Sequence, residues 1–198
     1  QYTDAAGEVR GVAIYSTKEN PDDFANSTAH LHYLLAEDRD AYAALWRFLI
    51  ELDLIGQFHA TELSVDEPLL WMISDQRAAR VTVTDHHYVR ILDVPAALSA
   101  RRYGAPGRLL LEVDDPLGHA AGRWLLEVGE DGTGTVSEAS GALEGSTVRL
   151  GVAELSAAYL GGVSLATLAD AGRVEAADPQ LAARVFGWYR APRLSYWY

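Results

Sequence analysis

The segment from Ala41 to Leu52 (AYAALWRFLIEL) has the most regular apolar spacing in the chain, and it constrains the fold more than any other feature. Tyr42, Leu45, Leu49 and Leu52 recur every three or four residues and form an apolar stripe along one face of an α-helix. Asp38 and Asp40 stand just before it, and either can serve as the helix N-cap. The sequence therefore predicts a long amphipathic helix that buries one face.

Segments typical of β-strands surround this helix. Val9 to Ser16 and Ala29 to Ala36 precede it, and Gln57 to Val65 follows it. Arg80 to Thr84 alternates between polar and apolar residues and is a further predicted strand. The order strand, strand, helix, strand predicts a first α+β unit that ends between Asp75 and Asp85.

The remainder of the chain mixes short helices with strands. The predicted strands and helices, in order, are a helix from Pro95 to Tyr103, strands Arg108 to Val113, Arg123 to Val128, Val136 to Ser140 and Thr147 to Leu150, and helices Val152 to Leu160, Leu165 to Ala171 and Pro179 to Trp188. This pattern predicts a second α+β unit. We therefore expect two units, over residues 1–84 and 85–198, and an α+β fold class.

Composition narrows the classes of function. The chain has no cysteine, which excludes disulfides, thiolate metal sites and a cysteine nucleophile. Its net charge of -12 disfavours nucleic-acid binding, which needs clustered Lys and Arg. An acidic field can concentrate a cationic substrate, although it can equally serve solubility alone. No apolar run approaches the roughly 20 residues that span a bilayer, so we expect no membrane partner.

Motifs that carry chemistry on their own are scarce. His30 and His32 lie two residues apart on one side of a predicted strand, a spacing that can bind a metal, but no third ligand stands near them. We therefore interpret them as exposed strand residues and predict no metal site. The pair Asp114-Asp115 precedes a proline, which favours a solvated turn. Without reference to a family, the residues assign no reaction.

Three segments, in this order along the chain, resemble the enhanced intracellular survival (Eis) family of GNAT-related N-acetyltransferases. They are Ala41 to Leu54 (AYAALWRFLIELDL), Val89 to Tyr103 (VRILDVPAALSARRY) and Ala157 to Val174 (AAYLGGVSLATLADAGRV). The family combines an acetyl-CoA-binding GNAT domain, a second GNAT-like domain and a sterol-carrier-protein-like domain. The resemblance implies that residues 1–84 are the later part of the second domain, a partial GNAT-like mixed sheet with a helix. Residues 85–198 then form the third, an α/β sandwich.

The resemblance also implies where the cofactor binds. A GNAT domain holds the pyrophosphate of acetyl-CoA with an Arg/Gln-x-x-Gly-x-Gly/Ala loop at a helix N-terminus. This sequence contains no such loop. We therefore expect acetyl-CoA to be bound by an N-terminal domain that this chain lacks, and we expect this fragment alone to be inactive.

Three candidate site residues follow from the resemblance. The C-terminal carboxylate of the family acts as a general base, and Tyr198 would supply it here if the chain end is natural. Asp85 stands five residues before Arg90, where the family carries an acidic residue that lines the substrate pocket. Trp197 is a third candidate, for substrate binding. The alternatives are a frayed terminus for the tail and a strand-end turn for Asp85.

The implied function is that of an acetyl-CoA-dependent N-acetyltransferase acting on amines, with aminoglycosides or lysine side chains as acceptors. The family resemblance further implies a homo-hexamer, and the absence of cysteine fits a cytoplasmic protein. The alternative is a non-catalytic module that binds a lipid in its sterol-carrier-like domain or serves assembly. A lipid-binding module would need an open apolar cavity of a few hundred Å³.

Overall fold

The computed structural model describes residues 1–141 and 146–194. The chain forms two compact units. Unit 1 comprises Gln1–Thr84 and, at the other end of the described chain, Arg193 and Leu194; unit 2 comprises Asp85–Pro192. Each unit combines a mixed sheet with helices, so the expected α+β fold class is confirmed. Among the described residues, every helix is too short or too polar to cross a membrane.

Unit 1 is built on a four-stranded sheet in the order β1-β2-β3-β4. Its strands are β1 (Tyr2–Thr3), β2 (Val9–Lys18), β3 (Ser27–Ala36) and β4 (Ile55–Ala60). Strand β2 is antiparallel to both β1 and β3, whereas β3 and β4 are parallel. Parallel neighbours need a crossover connection, and helix α1 (Arg39–Ile50) supplies it.

Helix α1 confirms the prediction made from apolar spacing. Its N-cap is Asp38, whose side chain accepts a hydrogen bond from the Ala41 amide at 2.8 Å. Leu45 and Leu49 are buried on one face, where they pack with Leu31 of β3 and other apolar residues of the sheet. The core of unit 1 therefore lies between this helix and one face of the sheet.

The chain after β4 departs from the sequence-based expectation. Strand β4 ends at Ala60, and Glu62 has a left-handed φ of 59°, which breaks the extended backbone predicted as far as Val65. Only short helices follow, namely α2 (Leu69–Met72) and a 3-10 turn at Gln76–Ala78. The strand predicted from Arg80 to Thr84 is wrong. Its alternating valines are exposed, because no neighbouring strand pairs with this segment in the described chain.

Unit 2 contains a five-stranded sheet in the order β7-β6-β5-β8-β9. The strands are β5 (Gly107–Asp114), β6 (Gly122–Val128), β7 (Gly134–Glu138), β8 (Ser146–Gly151) and β9 (Val174–Ala176). Only β5 and β8 are parallel neighbours among these described strands. The helices are α3 (Val94–Ser99), α4 (Val152–Tyr159), α5 (Leu165–Asp170) and α6 (Pro179–Phe186).

The four helices of unit 2 cover one face of its sheet. Leu109 and Leu111 of β5 point to that face and pack in one cluster with Leu155 of α4 and Leu165 of α5. Leu110 points to the opposite face and packs with Leu125 and Ala139. This alternation is the period of two expected of a strand.

Arg101, two residues after α3, lies among aromatic rings that include the last residues of α4 and α6. Its guanidinium lies 4.7 Å from the centre of the Tyr103 ring, 4.4 Å from that of Phe186 and 5.9 Å from that of Tyr159. Its Nη2 also donates to the carbonyl of Phe186, the last residue of α6, at 2.7 Å. Burial lowers the pKa of Arg101, because the cation has left water. Arg101 and Tyr103 belong to the second segment that carries the family resemblance, so that segment is structural here.

Candidate functional site

The junction of β3 and α1 is the place in unit 1 where an anionic ligand would be expected. Helix N-termini offer unpaired N–H groups and a positive dipole end to phosphate groups. Here the side chain of Asp38 already accepts the hydrogen bond of the Ala41 amide, and Glu37 and Asp40 flank it. Glu37 is paired with Arg10 at 2.6 Å. The carboxylate of Asp38 therefore already uses one N–H group of this helix N-terminus, and its negative charge disfavours a phosphate there.

The sheet of unit 1 is open beside this junction. Strand β3 pairs with β4 only from Ser27 to Leu31, while its last five residues, 32–36, have no partner in β4. Tyr42, on the first turns of α1, is half-buried near this end and donates its hydroxyl proton to the carboxylate of Glu67. Burial and the hydrogen bond to Glu67 raise the pKa of Tyr42, in that order, so its hydroxyl remains a proton donor at neutral pH.

Sequence reasoning placed Tyr42 on the apolar stripe of α1 and missed this pair. The ring does pack against Trp46 with a T-shaped geometry and a centroid separation of 6.3 Å. The hydroxyl partner, however, lies 25 residues away. The only available signal was that a buried tyrosine hydroxyl usually needs a hydrogen-bond partner.

Of the three predicted site residues, the structure describes Asp85 alone. Asp85 is exposed, in a stretch without regular secondary structure, at the start of unit 2. Its carboxylate is therefore accessible to a cationic group, and its role in substrate binding stays a prediction. Tyr198 and Trp197 lie outside the described residues.

The histidines of unit 1 cluster on the outer face of its sheet. His30 of β3 and His59 of β4 are register partners, and their rings stack with centroids 5.3 Å apart. His32 Nε2 lies 2.8 Å from Ser16 Oγ of the neighbouring strand. Within residues 1–141 and 146–194, no group of His, Asp and Glu side chains has an arrangement suited to a metal ion.

Asp115 of unit 2 is not the solvated turn residue that its sequence suggests. Its side chain is fully buried and accepts hydrogen bonds from Arg90 Nη2 at 2.7 Å, from the Leu117 amide at 3.0 Å and from the Ala120 amide at 2.9 Å. The Ala120 amide contributes most to lowering the pKa of Asp115, and burial opposes it. The carboxylate therefore anchors a loop to Arg90, a structural role.

A groove of about 680 Å³ opens on unit 2 and is lined mainly by charged residues. Glu112 of β5 accepts from Arg123 of β6 at 3.2 Å and from Arg149 of β8 at 2.7 Å, and Arg149 also lies 3.7 Å from Glu175 of β9. The space between the helices and the sheet, by contrast, is filled by side chains with no exposed surface, such as Leu109 and Leu155. This arrangement does not favour the enclosed apolar cavity that a lipid carrier would need.

Two family models match the chain, one after the other. The acetyltransferase (GNAT) domain matches residues 1–91. The sterol carrier protein domain matches residues 94–195, which is more than half of the chain.

Similar proteins are longer than this chain. An uncharacterized N-acetyltransferase of Streptomyces coelicolor is 41% identical over 85% of this chain and 40% of its own length. The N-acetyltransferase Eis of Mycobacterium tuberculosis is 35% identical over 79% of this chain and 38% of its own length. The crystal structure of Eis1 from Mycobacterium abscessus superimposes with a TM-score of 0.80, at 30% identity, over 95% of this chain and 49% of that one. This chain thus spans about two fifths of the curated relatives that it matches.

Proposed function

The chain belongs to the Eis family of GNAT-related N-acetyltransferases, and on this premise we propose that it is the C-terminal portion of an acetyl-CoA-dependent enzyme that acetylates amines. The observation that carries the proposal is that a GNAT domain is followed by a sterol carrier protein domain. Relatives named as N-acetyltransferases match the chain across both domains. Because those relatives are more than twice as long, the activity proposed is that of the whole protein.

Acetyl-CoA is assigned in this proposal to a preceding domain. The support is electrostatic. The strand-to-helix junction of unit 1 presents the Asp38 carboxylate, with Glu37 and Asp40 beside it, where a coenzyme phosphate would need N–H donors. Unit 1 then serves as a wall of the acceptor pocket. Isolated residues 1–198 are accordingly proposed to be inactive.

The acceptor is proposed to be a cationic amine of the aminoglycoside or lysine type. A chain with a net charge of -12 attracts cations, and Asp85 offers an exposed carboxylate for a charge-assisted hydrogen bond. Trp197 is assigned a neighbouring contact with the acceptor. In the reaction, the amine nitrogen attacks the thioester carbonyl, a C–N bond forms, the C–S bond breaks and coenzyme A leaves.

The ammonium form of the acceptor must lose a proton before its nitrogen can attack. If Tyr198 ends the full-length protein, its terminal carboxylate is the proposed acceptor of that proton. Positioned general bases typically contribute about 10² to 10⁴ in rate. A homo-hexamer in the cytoplasm is proposed as the state of the full-length enzyme, and the lack of cysteine suits a reducing compartment.

The experiment moves the terminal carboxylate of the full-length protein by one residue and measures the acetylation rate. Deleting Tyr198 still leaves a carboxylate, on Trp197, so we would also add one alanine after Tyr198, which keeps every side chain. Both changes move the carboxylate by one residue, about 3.5 Å. Coenzyme A release with an aminoglycoside acceptor is expected to slow by about 10² or more in both variants, at unchanged thermal stability. A native rate in the alanine-extended enzyme would refute the role of the carboxylate.

A further inference from the structure

Arg193 fills the open end of the unit 1 sheet. Its Nη2 donates to the carbonyl of Leu34 at 3.2 Å, within the stretch of β3 that has no partner in β4. Leu34 is 159 residues away along the chain, so this is a long-range contact. The unpaired end of β3 is therefore contacted by a segment from the far end of the described chain.

The same guanidinium reaches the chain beyond β4. Its Nε donates to the carbonyl of Glu62 at 3.2 Å, two residues after β4 ends. Glu62 has a left-handed backbone, where the chain turns away from the strand. One guanidinium thus bridges two backbone segments that are not hydrogen-bonded to each other as strands. It can do so because its N–H donors form a rigid, planar fork.

The electrostatic surroundings favour a cation at this position. The hydroxyl of Tyr42 and the carboxylate of Glu67 form a hydrogen-bonded pair close by, and the charge of Arg193 lowers the pKa of Tyr42 against the effect of burial. A carboxylate near a guanidinium stabilises its charge. Neutral glutamine at position 193 would lose both this attraction and the fork of donors.

We infer that Arg193 is a positioning residue that fixes the C-terminal segment to unit 1 through the carbonyls of Leu34 and Glu62. Tyr198 follows Arg193 by five positions, a reach of at most roughly 18 Å when extended. If Tyr198 ends the full-length protein, an anchor at Arg193 restricts where the terminal carboxylate can lie. This inference deepens the proposed function, on which its catalytic consequence rests, whereas the anchoring itself can be measured separately.

The test compares Arg193→Gln, Arg193→Lys and Arg190→Gln in the full-length protein. Arg190 is a matched control, because it is an exposed arginine of the same segment whose guanidinium lies over the ring of Tyr189 at 5.4 Å. Carboxypeptidase trimming, followed by intact mass spectrometry, reports how often the tail is released. Steady-state kinetics with an aminoglycoside acceptor then report the catalytic consequence.

We expect Arg193→Gln to be trimmed about tenfold faster than the parent protein, because two hydrogen bonds to a charged donor are lost. Its kcat should fall by a similar factor, while KM for acetyl-CoA and the thermal stability stay unchanged. Arg193→Lys should be intermediate, since an ammonium group does not reproduce the fork. Arg190→Gln should match the parent protein in both assays.

Each alternative result has a defined meaning. Equal trimming of Arg193→Gln and the parent protein would overturn the anchor, as would equally fast trimming of Arg190→Gln. Faster trimming of Arg193→Gln without any change in kcat would support the anchor and, at the same time, remove the terminal carboxylate from the proposed mechanism.

Discussion

Replacing Arg101 by methionine tests whether a buried cation holds the helices of unit 2 together. Methionine keeps most of the apolar stem and removes the guanidinium. Two kinds of stabilising interaction are lost with the guanidinium. The hydrogen bond to the Phe186 carbonyl, at 2.7 Å, comes from a charged donor, a kind worth about 1.5–3 kcal/mol. Contacts with the Tyr103 and Phe186 rings add about 0.5–2 kcal/mol each.

The cost of burying the cation reduces this sum. Burial lowers the pKa of Arg101, because the guanidinium gives up part of its hydration. We therefore expect Arg101→Met to lower the free energy of unfolding by about 2–3 kcal/mol. For a unit of this size that corresponds to a fall in Tm of about 10–20 °C. Arg101→Lys should lose about half as much, since it keeps the charge but not the planar group.

Differential scanning calorimetry of the full-length protein is the assay. Arg102→Met is the matched control, because Arg102 is adjacent and exposed, and its weak hydrogen bond to the Asp131 carbonyl is 3.4 Å long. Its Tm should change by less than about 3 °C. The acetylation rate at 25 °C should be the same in all three variants. If Arg101→Met had the same Tm as the parent protein, the cation would contribute nothing to stability and the reasoning would fail.

Two further predictions concern the pH dependence of stability and the assembly. Hydrogen bonds, chiefly from the Ala120 amide, hold the pKa of Asp115 below its usual value, so its carboxylate stabilises the fold above the unfolded pKa and ceases to do so as the pH falls through the folded value. Asp115→Asn should therefore lower the urea midpoint at pH 7 and approach the parent protein below about pH 4; a constant difference down to pH 2 would contradict this. Sedimentation velocity of the full-length protein should show a hexamer, and a monomer would count against the proposed assembly.

Local patterns in the sequence were sufficient for most of the helices and strands. Helix α1 was predicted from apolar spacing, with Asp38 and Asp40 as candidate N-caps, and Asp38 is the cap in the structure. Helices α5 and α6 were also predicted; they begin after Ser164 and Asp178, and each of these accepts a hydrogen bond from an amide three residues on. These features depend on side chains within one or two turns of each other, so a single stretch of sequence contains the information.

The same local patterns failed where a partner was needed. The segment from Arg80 to Thr84 alternates as a strand does, but no described strand lies beside it. Asp115 stands in a sequence typical of a turn, but its side chain is buried and paired with Arg90. Whether an alternating segment pairs, or a polar residue is exposed, depends on what the rest of the chain brings beside it.

The sequence by itself determined the fold class, the order of most helices and strands and, through the resemblance, the Eis family. Only the tertiary structure decided that Arg101 is surrounded by three aromatic rings, that Tyr42 meets Glu67, and that Arg193 reaches back to Leu34. Apart from the contact of Arg101 with the nearby Tyr103, these contacts join residues 25 to 159 positions apart. Their partners are chosen by sheet register and packing, which leave no periodic trace in either segment.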